Sequence, residues 1–271
     1  MPSAATTTTT TRGTFEVVDR GGGTPVVLVH GFPFAADSWS GEVEALSSTM
    51  RVITPSMRGF GATPPSDLEE LSMDAMADDV AAILDALGVT EPVVLGGLSM
   101  GGYVALAFAR RHPGRLRALV LADTRAEPDS PEARTNRDRG IARVDGGDLE
   151  GFVTDLLPAL LAPETREGHP GVVAHVRKMA MSAAPSSVIA MLRALRDRPD
   201  ARPGLASIAV PSLAIVGADD SLTPVASSRA MVDALPAGRG SLEILPRAGH
   251  LSNLEAPDAF RAALAAFVAR V

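Results

Sequence analysis

One serine set among four glycines is the strongest chemical signal in the chain. In "VVLGGLSMGGYVALAFA" (93–109) an apolar, β-branched run stops at paired glycines, admits Ser99, meets two more glycines and turns helical. Gly97-Leu98-Ser99-Met100-Gly101 fits the pattern G-x-S-x-G with a strand before it and a helix after it. A turn that tight forces its central residue to positive φ. Side chains two positions to either side would collide, so Gly97 and Gly101 are required, while Gly102 lets the helix approach the sheet. The serine oxygen then stands at a helix N-terminus, where the helix dipole favours developing negative charge. An incidental serine in a glycine-rich turn is the structural alternative, and the flanking strand and helix weigh against it.

A serine hydroxyl needs a base, and the base needs an orienting group. Five histidines are available. His112, in "ARRHPGRL", sits at the far end of the helix that follows Ser99 and reads as capping or surface. His169 and His175 fall in a helical stretch with no strand nearby. His30 ends the strand "VVLVH". His250, in "RAGHLSNLEAPDAF", follows the last predicted strand, and loops at carboxyl strand ends line the crevice of an open α/β sheet, so it is the favoured base. For the acid, "SLAIVGADDSLTP" offers Asp220 and, as second choice, Asp219. Asp123 in "LVLADT" also ends a strand and stays open.

These residues need a sheet to hold them. Seven β-rich runs recur at 14–18, 25–30, 51–55, 92–97, 116–123, 211–218 and 241–246, most of them continuously apolar, as in strands covered on both faces. Helical patterns separate them. Met76, Val80, Ile83, Leu84 and Leu87 share one face of a helix that Ser72 is placed to cap and Gly88 to end. Thr223 and Pro224 read as N-cap and first residue of another helix, and Phe260, Leu264, Phe267 and Val268 line a closing one. The alternation specifies an α/β fold with a doubly wound, mostly parallel sheet. Residues 13–124 and 209–271 form its core. Residues 125–208, helical without a strand, form a cap inserted between two late strands, and residues 1–12 ("MPSAATTTTTTR") read as a disordered leader.

Composition bounds the rest. The 271 residues are 46% hydrophobic and 21% charged, with a formal charge of −7, which disfavours nucleic acid and anionic membrane surfaces as partners. No cysteine is present, so cysteine nucleophiles and thiolate metal sites are excluded. Nothing resembles a secretory signal or a membrane span, and a cytoplasmic location is the expectation.

Taken in order, "HGFP" (30–33), "PSMRGFGAT" (55–63), "GLSMGG", "VGADDSLTP" and "AGHLSNLEAPDAF" make the chain resemble the α/β-hydrolase superfamily over nearly its whole length. It is most similar to the 3-oxoadipate enol-lactonase and small bacterial carboxylesterase branch. The resemblance implies that Asp220 is the acid, three residues after Gly217. It implies an oxyanion hole made by the backbone N–H groups of Phe32 and Met100, with His30, Gly31, Gly97 and Gly101 in support. The implied activity is hydrolysis of a small carboxylic ester or lactone without metal or organic cofactor. A perhydrolase, a cofactor-free haloperoxidase, a C–C bond hydrolase and a non-catalytic ligand sensor are the alternatives. One departure stands out: the superfamily's loop aspartate is Ser56 here, and its terminal serine is Thr63. Trp39 and Phe34 are expected to line or flank the pocket. Met179, Met181 and Met191 could face it, with helix packing the commoner role for each. The sequence carries no signature of oligomeric state.

Overall fold

A computed structural model describes residues 5–66 and 68–271, with backbone alone for Glu70. Eight strands form one sheet: β1 (Thr6–Thr10), β2 (Gly13–Arg20), β3 (Pro25–Val29), β4 (Arg51–Pro55), β5 (Val93–Leu98), β6 (Leu116–Ala122), β7 (Ser212–Gly217) and β8 (Gly240–Leu245). Their order is β1-β2-β4-β3-β5-β6-β7-β8. β2 runs antiparallel to β1 and β4, and every other pairing is parallel. The doubly wound reading therefore holds, with an antiparallel edge added.

That edge corrects the expectation for the N-terminus. Residues 6–10 are β1, paired from Thr6↔Val17 to Thr10↔Gly13. A threonine run is low in complexity but β-branched, and it suits an exposed edge strand. Arg12 ties the hairpin down. Its Nε donates to the buried carboxylate of Asp79 at 2.7 Å, and its carbonyl accepts from Arg58 Nη2 at 2.9 Å. The part of the leader expectation that covers residues 1–4 lies outside the described residues.

The parallel strands are apolar throughout because both faces are covered. In β3, Val27 and Val29 join one core with α2 (Met73–Ala86) and α3 (Met100–Arg111). Val26 and Leu28 join the opposite core with α1 (Ser40–Leu46) and α12 (Pro257–Val268), where Trp39 packs on Phe260 at 5.8 Å between ring centroids. Ser72 caps α2 by accepting from Ala75 N at 3.1 Å, and Gly88 follows it at φ 67°. Between β6 and β7 stand α4 (Pro131–Asp145), α5 (Leu149–Leu160), α6 (Pro163–Gly168), α7 (Pro170–Met181), α8 (Pro185–Arg196) and α9 (Arg202–Leu205), with no strand among the described residues. After β7 come α10 (Val225–Ala234) and, after β8, α11 (Ser252–Glu255). Among the described residues, no helix is long and apolar enough to cross a membrane.

Candidate active site

The turn at Ser99 joins β5 to α3 in the strained form that its glycines foretell. Ser99 adopts φ 53° and ψ −111°. A Cβ on Gly97 would lie 2.0 Å from Gly101 O, and one on Gly101 would lie 2.1 Å from Val29 O, so both positions must be bare. The turn is anchored to the end of β6: Ser99 N donates to Ala122 O at 2.9 Å, and Thr124 Oγ1 donates to Ser99 O at 2.8 Å.

His250 reaches this serine from the turn after β8. Its Nε2 lies 2.7 Å from Ser99 Oγ, and its Nδ1 lies 2.9 Å from Asp220 Oδ2. With Nδ1–H donated to the carboxylate, Nε2 is the lone-pair nitrogen and accepts from the serine hydroxyl. Asp220, after β7, is buried but well solvated by protein donors: Leu222 N at 2.8 Å, Thr223 N at 2.9 Å and Thr223 Oγ1 at 2.6 Å. Burial raises its pKa, yet the His250 charge and these donors outweigh burial and hold it below the usual carboxylate range. Burial likewise disfavours the imidazolium of His250, but the charge and hydrogen bond of Asp220 prevail and raise its pKa above the ordinary 6.5.

Thr223 is therefore not the helix cap expected of it. The N-cap position of α10 is Pro224, and the Thr223 hydroxyl is committed to Asp220. The sequence signal was a threonine three residues after an aspartate, which closes a side-chain turn on that aspartate. Asp219, the second choice for the acid, is exposed, and its backbone N–H bonds Ala248 O at 2.9 Å.

Asp123 lies close behind this line without touching it. It is fully buried at φ 43°, accepts from Gly217 N at 2.9 Å, and pairs through Oδ2 with the Ser252 hydroxyl in a short contact. It thereby links the ends of β6 and β7 to the helix that follows His250. Burial, reinforced by the Asp220 charge, pushes its pKa up to about 8, so at neutral pH it is a carboxylic acid. Glu255 supplies a second brace, accepting from Gly249 N at 2.9 Å and from Ala162 N at 2.8 Å. Neither brace has a local pattern in the sequence beyond an acid near a strand or helix end.

His30 organises the loop after β3. Its ring is buried, Nδ1 donates to Gly31 O at 2.9 Å, and Nε2 accepts from Met57 N at 2.9 Å, which fixes the neutral tautomer. Burial lowers its pKa to about 4. Ser56, at the departure from the superfamily pattern, accepts from Ala36 N at 3.0 Å and donates to Glu16 Oε2 at 2.6 Å. Glu16 of β2 thus brings a carboxylate to the loop where the aspartate is missing. Thr63 donates to Ser56 O at 2.7 Å and accepts from Glu16 N at 2.9 Å.

A cavity of about 90 Å³ opens over Ser99 and His250. Phe32 and Met100 line it, and Met100 opens α3, where the helix leaves its first N–H groups unpaired. Tyr103, Leu156, Leu160, Leu195 and Leu222 form apolar walls. Trp39 and Phe34, expected near the pocket, are core residues on the opposite side of the sheet from α3. Met179 and Met191 are buried in the cores, and Met181 packs against one of them. His112 lies on the surface, 2.8 Å from Asp78, and His169 and His175 are exposed.

Comparison with known proteins agrees with this architecture. A family model described as alpha/beta hydrolase fold matches residues 24–166. A thermophilic esterase from Thermogutta terrifontis, solved with malate bound, superposes with a TM-score of 0.91 at 39% identity, covering 98% of each chain. The enol-lactonase from Burkholderia xenovorans LB400 gives 0.86 at 25% identity over 97% of this chain and 100% of its own. A protein named as a carbamate hydrolase, RutD, from Caulobacter sp. (strain K31) is 30% identical over 90% of each chain. The chain belongs to the α/β-hydrolase family, and its likeness is to small bacterial esterases and lactonases.

Proposed function

We propose that the protein hydrolyses small carboxylic esters or lactones through an acyl-enzyme on Ser99. The observation that carries this reading is the hydrogen-bonded line Ser99 Oγ–His250 Nε2–His250 Nδ1–Asp220 Oδ2, at 2.7 and 2.9 Å. Ser99 Oγ adds to the carbonyl carbon while His250 Nε2 takes its proton, and Asp220 stabilises the imidazolium. The backbone N–H groups of Phe32 and Met100 meet the oxyanion, each worth about 3 kcal/mol. Collapse expels the alkoxide, which receives the proton from His250. A water, deprotonated by the same nitrogen, then adds to the acyl carbon and releases the acid and Ser99. In a lactone the hydroxyl freed by ring opening remains on the acyl chain, and the second step releases a single hydroxy acid. The carbamate hydrolase name of the Caulobacter relative falls within the same carbonyl chemistry.

The test is turnover of p-nitrophenyl acetate by wild type and Ser99→Ala. The variant should fold as wild type by circular dichroism and lose at least ~10⁴-fold in kcat. Wild-type turnover in the variant would assign the chemistry to another nucleophile.

A further inference from the structure

Two bonds hold the loop that carries Phe32, and both end on the segment after β4. At the start of the loop, His30 Nε2 accepts from Met57 N at 2.9 Å. At its end, Ala36 N donates to Ser56 Oγ at 3.0 Å. Ala36 is buried and opens a short 3₁₀ turn (Ala36–Trp39), whose N-cap residue, Ala35, has no side-chain oxygen to offer. Ser56, itself fully buried, is the acceptor that keeps this N–H from being orphaned.

A hydroxyl both donates and accepts, and rotation about its C–O bond decides which group it serves in each role. Glu16 of β2 makes that choice. Ser56 Oγ lies 2.6 Å from Glu16 Oε2, so the serine proton points to the carboxylate and a lone pair is left for the Ala36 N–H. The same Oε2 accepts from Ala62 N at 3.0 Å. Its surroundings are shaped to admit it: Gly61 stands at φ 57°, and a Cβ there would collide with Glu16 Oε2. The main chain fixes the register, since Ser56 N donates to Glu16 O at 2.9 Å and Glu16 N to Thr63 Oγ1 at 2.9 Å. Carboxylate, hydroxyl and amide form one directed chain from β2 to the loop that bears Phe32.

We propose that Glu16 is a positioning residue for the oxyanion hole, acting through Ser56 to set where the Phe32 N–H points. This rests on the acyl-enzyme reading of Ser99 and adds to it a residue outside the reacting line.

The experiment measures inhibition by 1,1,1-trifluorobutan-2-one beside turnover of p-nitrophenyl acetate. Ser99 Oγ adds to the ketone carbon, its proton passes to His250 Nε2, and the ketone oxygen becomes an oxyanion facing the Phe32 and Met100 N–H groups. The inhibition constant reads only molecules with a folded site, so a loss of folded protein lowers turnover without moving it. Glu16→Ala should raise that constant about tenfold and lower kcat/KM by a similar factor. Ser56→Asp alone should also weaken inhibition, because it sets two carboxylates together. Glu16→Ala with Ser56→Asp should return the constant to within about threefold of wild type, since the new carboxylate accepts from Ala36 N without a partner. An unchanged constant in Glu16→Ala, or a double variant no better than either single one, overturns this proposal and leaves the hydrolase reading standing. If Glu16→Ala does not fold, Ser56→Asp against the double variant decides alone, and no gain from removing Glu16 overturns the proposal. A wild-type protein that neither turns over the ester nor binds the ketone overturns both.

Discussion

The floor and the walls of the Ser99 cavity are built by different means. Ser99, His250 and Asp220 stand on turns at the ends of β5, β8 and β7, and those turns are fixed through their backbone, by close approach, by a main-chain bond and by buried side-chain braces: no Cβ fits on Gly97 beside Gly101 O, Ser99 N bonds Ala122 O, and Gly217 N bonds the Asp123 carboxylate. The walls come from the helical insertion, with Arg137 on α4, Leu156 and Leu160 on α5 and Leu195 on α8. Those helices are held by side-chain packing and by single bonds such as Glu255 to Ala162 N. Reacting groups fixed by backbone tolerate no displacement, whereas walls fixed by packing can change shape without touching the chemistry. The difference predicts that substitutions at the floor abolish turnover and substitutions in the walls redirect it.

The sharpest contrast uses two carboxylates that end neighbouring strands. Asp220→Asn should lower kcat by ~10⁴, because an amide favours the wrong tautomer of His250. Asp123→Asn should stay within about tenfold, since an amide can replace a carboxylic acid that is already neutral and still pair with Ser252 and Gly217. Steady-state kinetics on one ester decides between them, and equal losses would erase the distinction drawn here. Gly97→Ala comes next. Its Cβ would sit 2.0 Å from Gly101 O, and the crowding should cost about 1–3 kcal/mol or more, read as a lowered Tm with loss of turnover. An unchanged Tm would mean that the turn can relax.

A smaller effect tests the electrostatics. His250 must be neutral to take the serine proton, and its pKa is raised above 6.5 by Asp220. Turnover should therefore fall as pH falls, and the acid limb of kcat/KM should have its midpoint above 6.5. In Asp220→Asn the residual activity should show that midpoint displaced to lower pH, because the largest raising charge is gone while burial still disfavours the imidazolium. Smallest is Leu156→Ala, which should shift the preference between butyrate and acetate esters by about tenfold while acetate turnover changes little. A large loss on acetate would show that α5 holds the floor as well as the wall.

How much of this was legible in the sequence follows the same division. The Ser99 turn could be read because its cause is local: a strand, a forced positive φ and glycines at fixed offsets. That His250 and Asp220 meet beside Ser99 could be read because a parallel sheet puts the turns after β7 and β8 at one edge. Asp220 and Asp123 could not be told apart on chain position alone, since both end strands. Three-dimensional proximity to the imidazole separates them, and that depends on how far each strand extends. β1 was misread because a threonine run is both low in complexity and β-prone, and only pairing with β2 settles which property wins. Trp39 was misplaced because a large aromatic suits a pocket and a core equally, and its partner Phe260 is distant in sequence. The same distance hides part of the wall: Arg125 and Arg137 lie close to Asp129 in sequence, but Arg198 joins them from 69 residues away.

The most direct test of the central claim is to treat the protein with a fluorophosphonate and locate the adduct by peptide mass spectrometry. Attack by Ser99 Oγ on phosphorus, with loss of fluoride, should place one phosphonyl group per chain on Ser99, and His250→Ala should label far more slowly. An unlabelled protein, or an adduct on any other residue, would contradict the claim that this serine is the nucleophile that His250 activates.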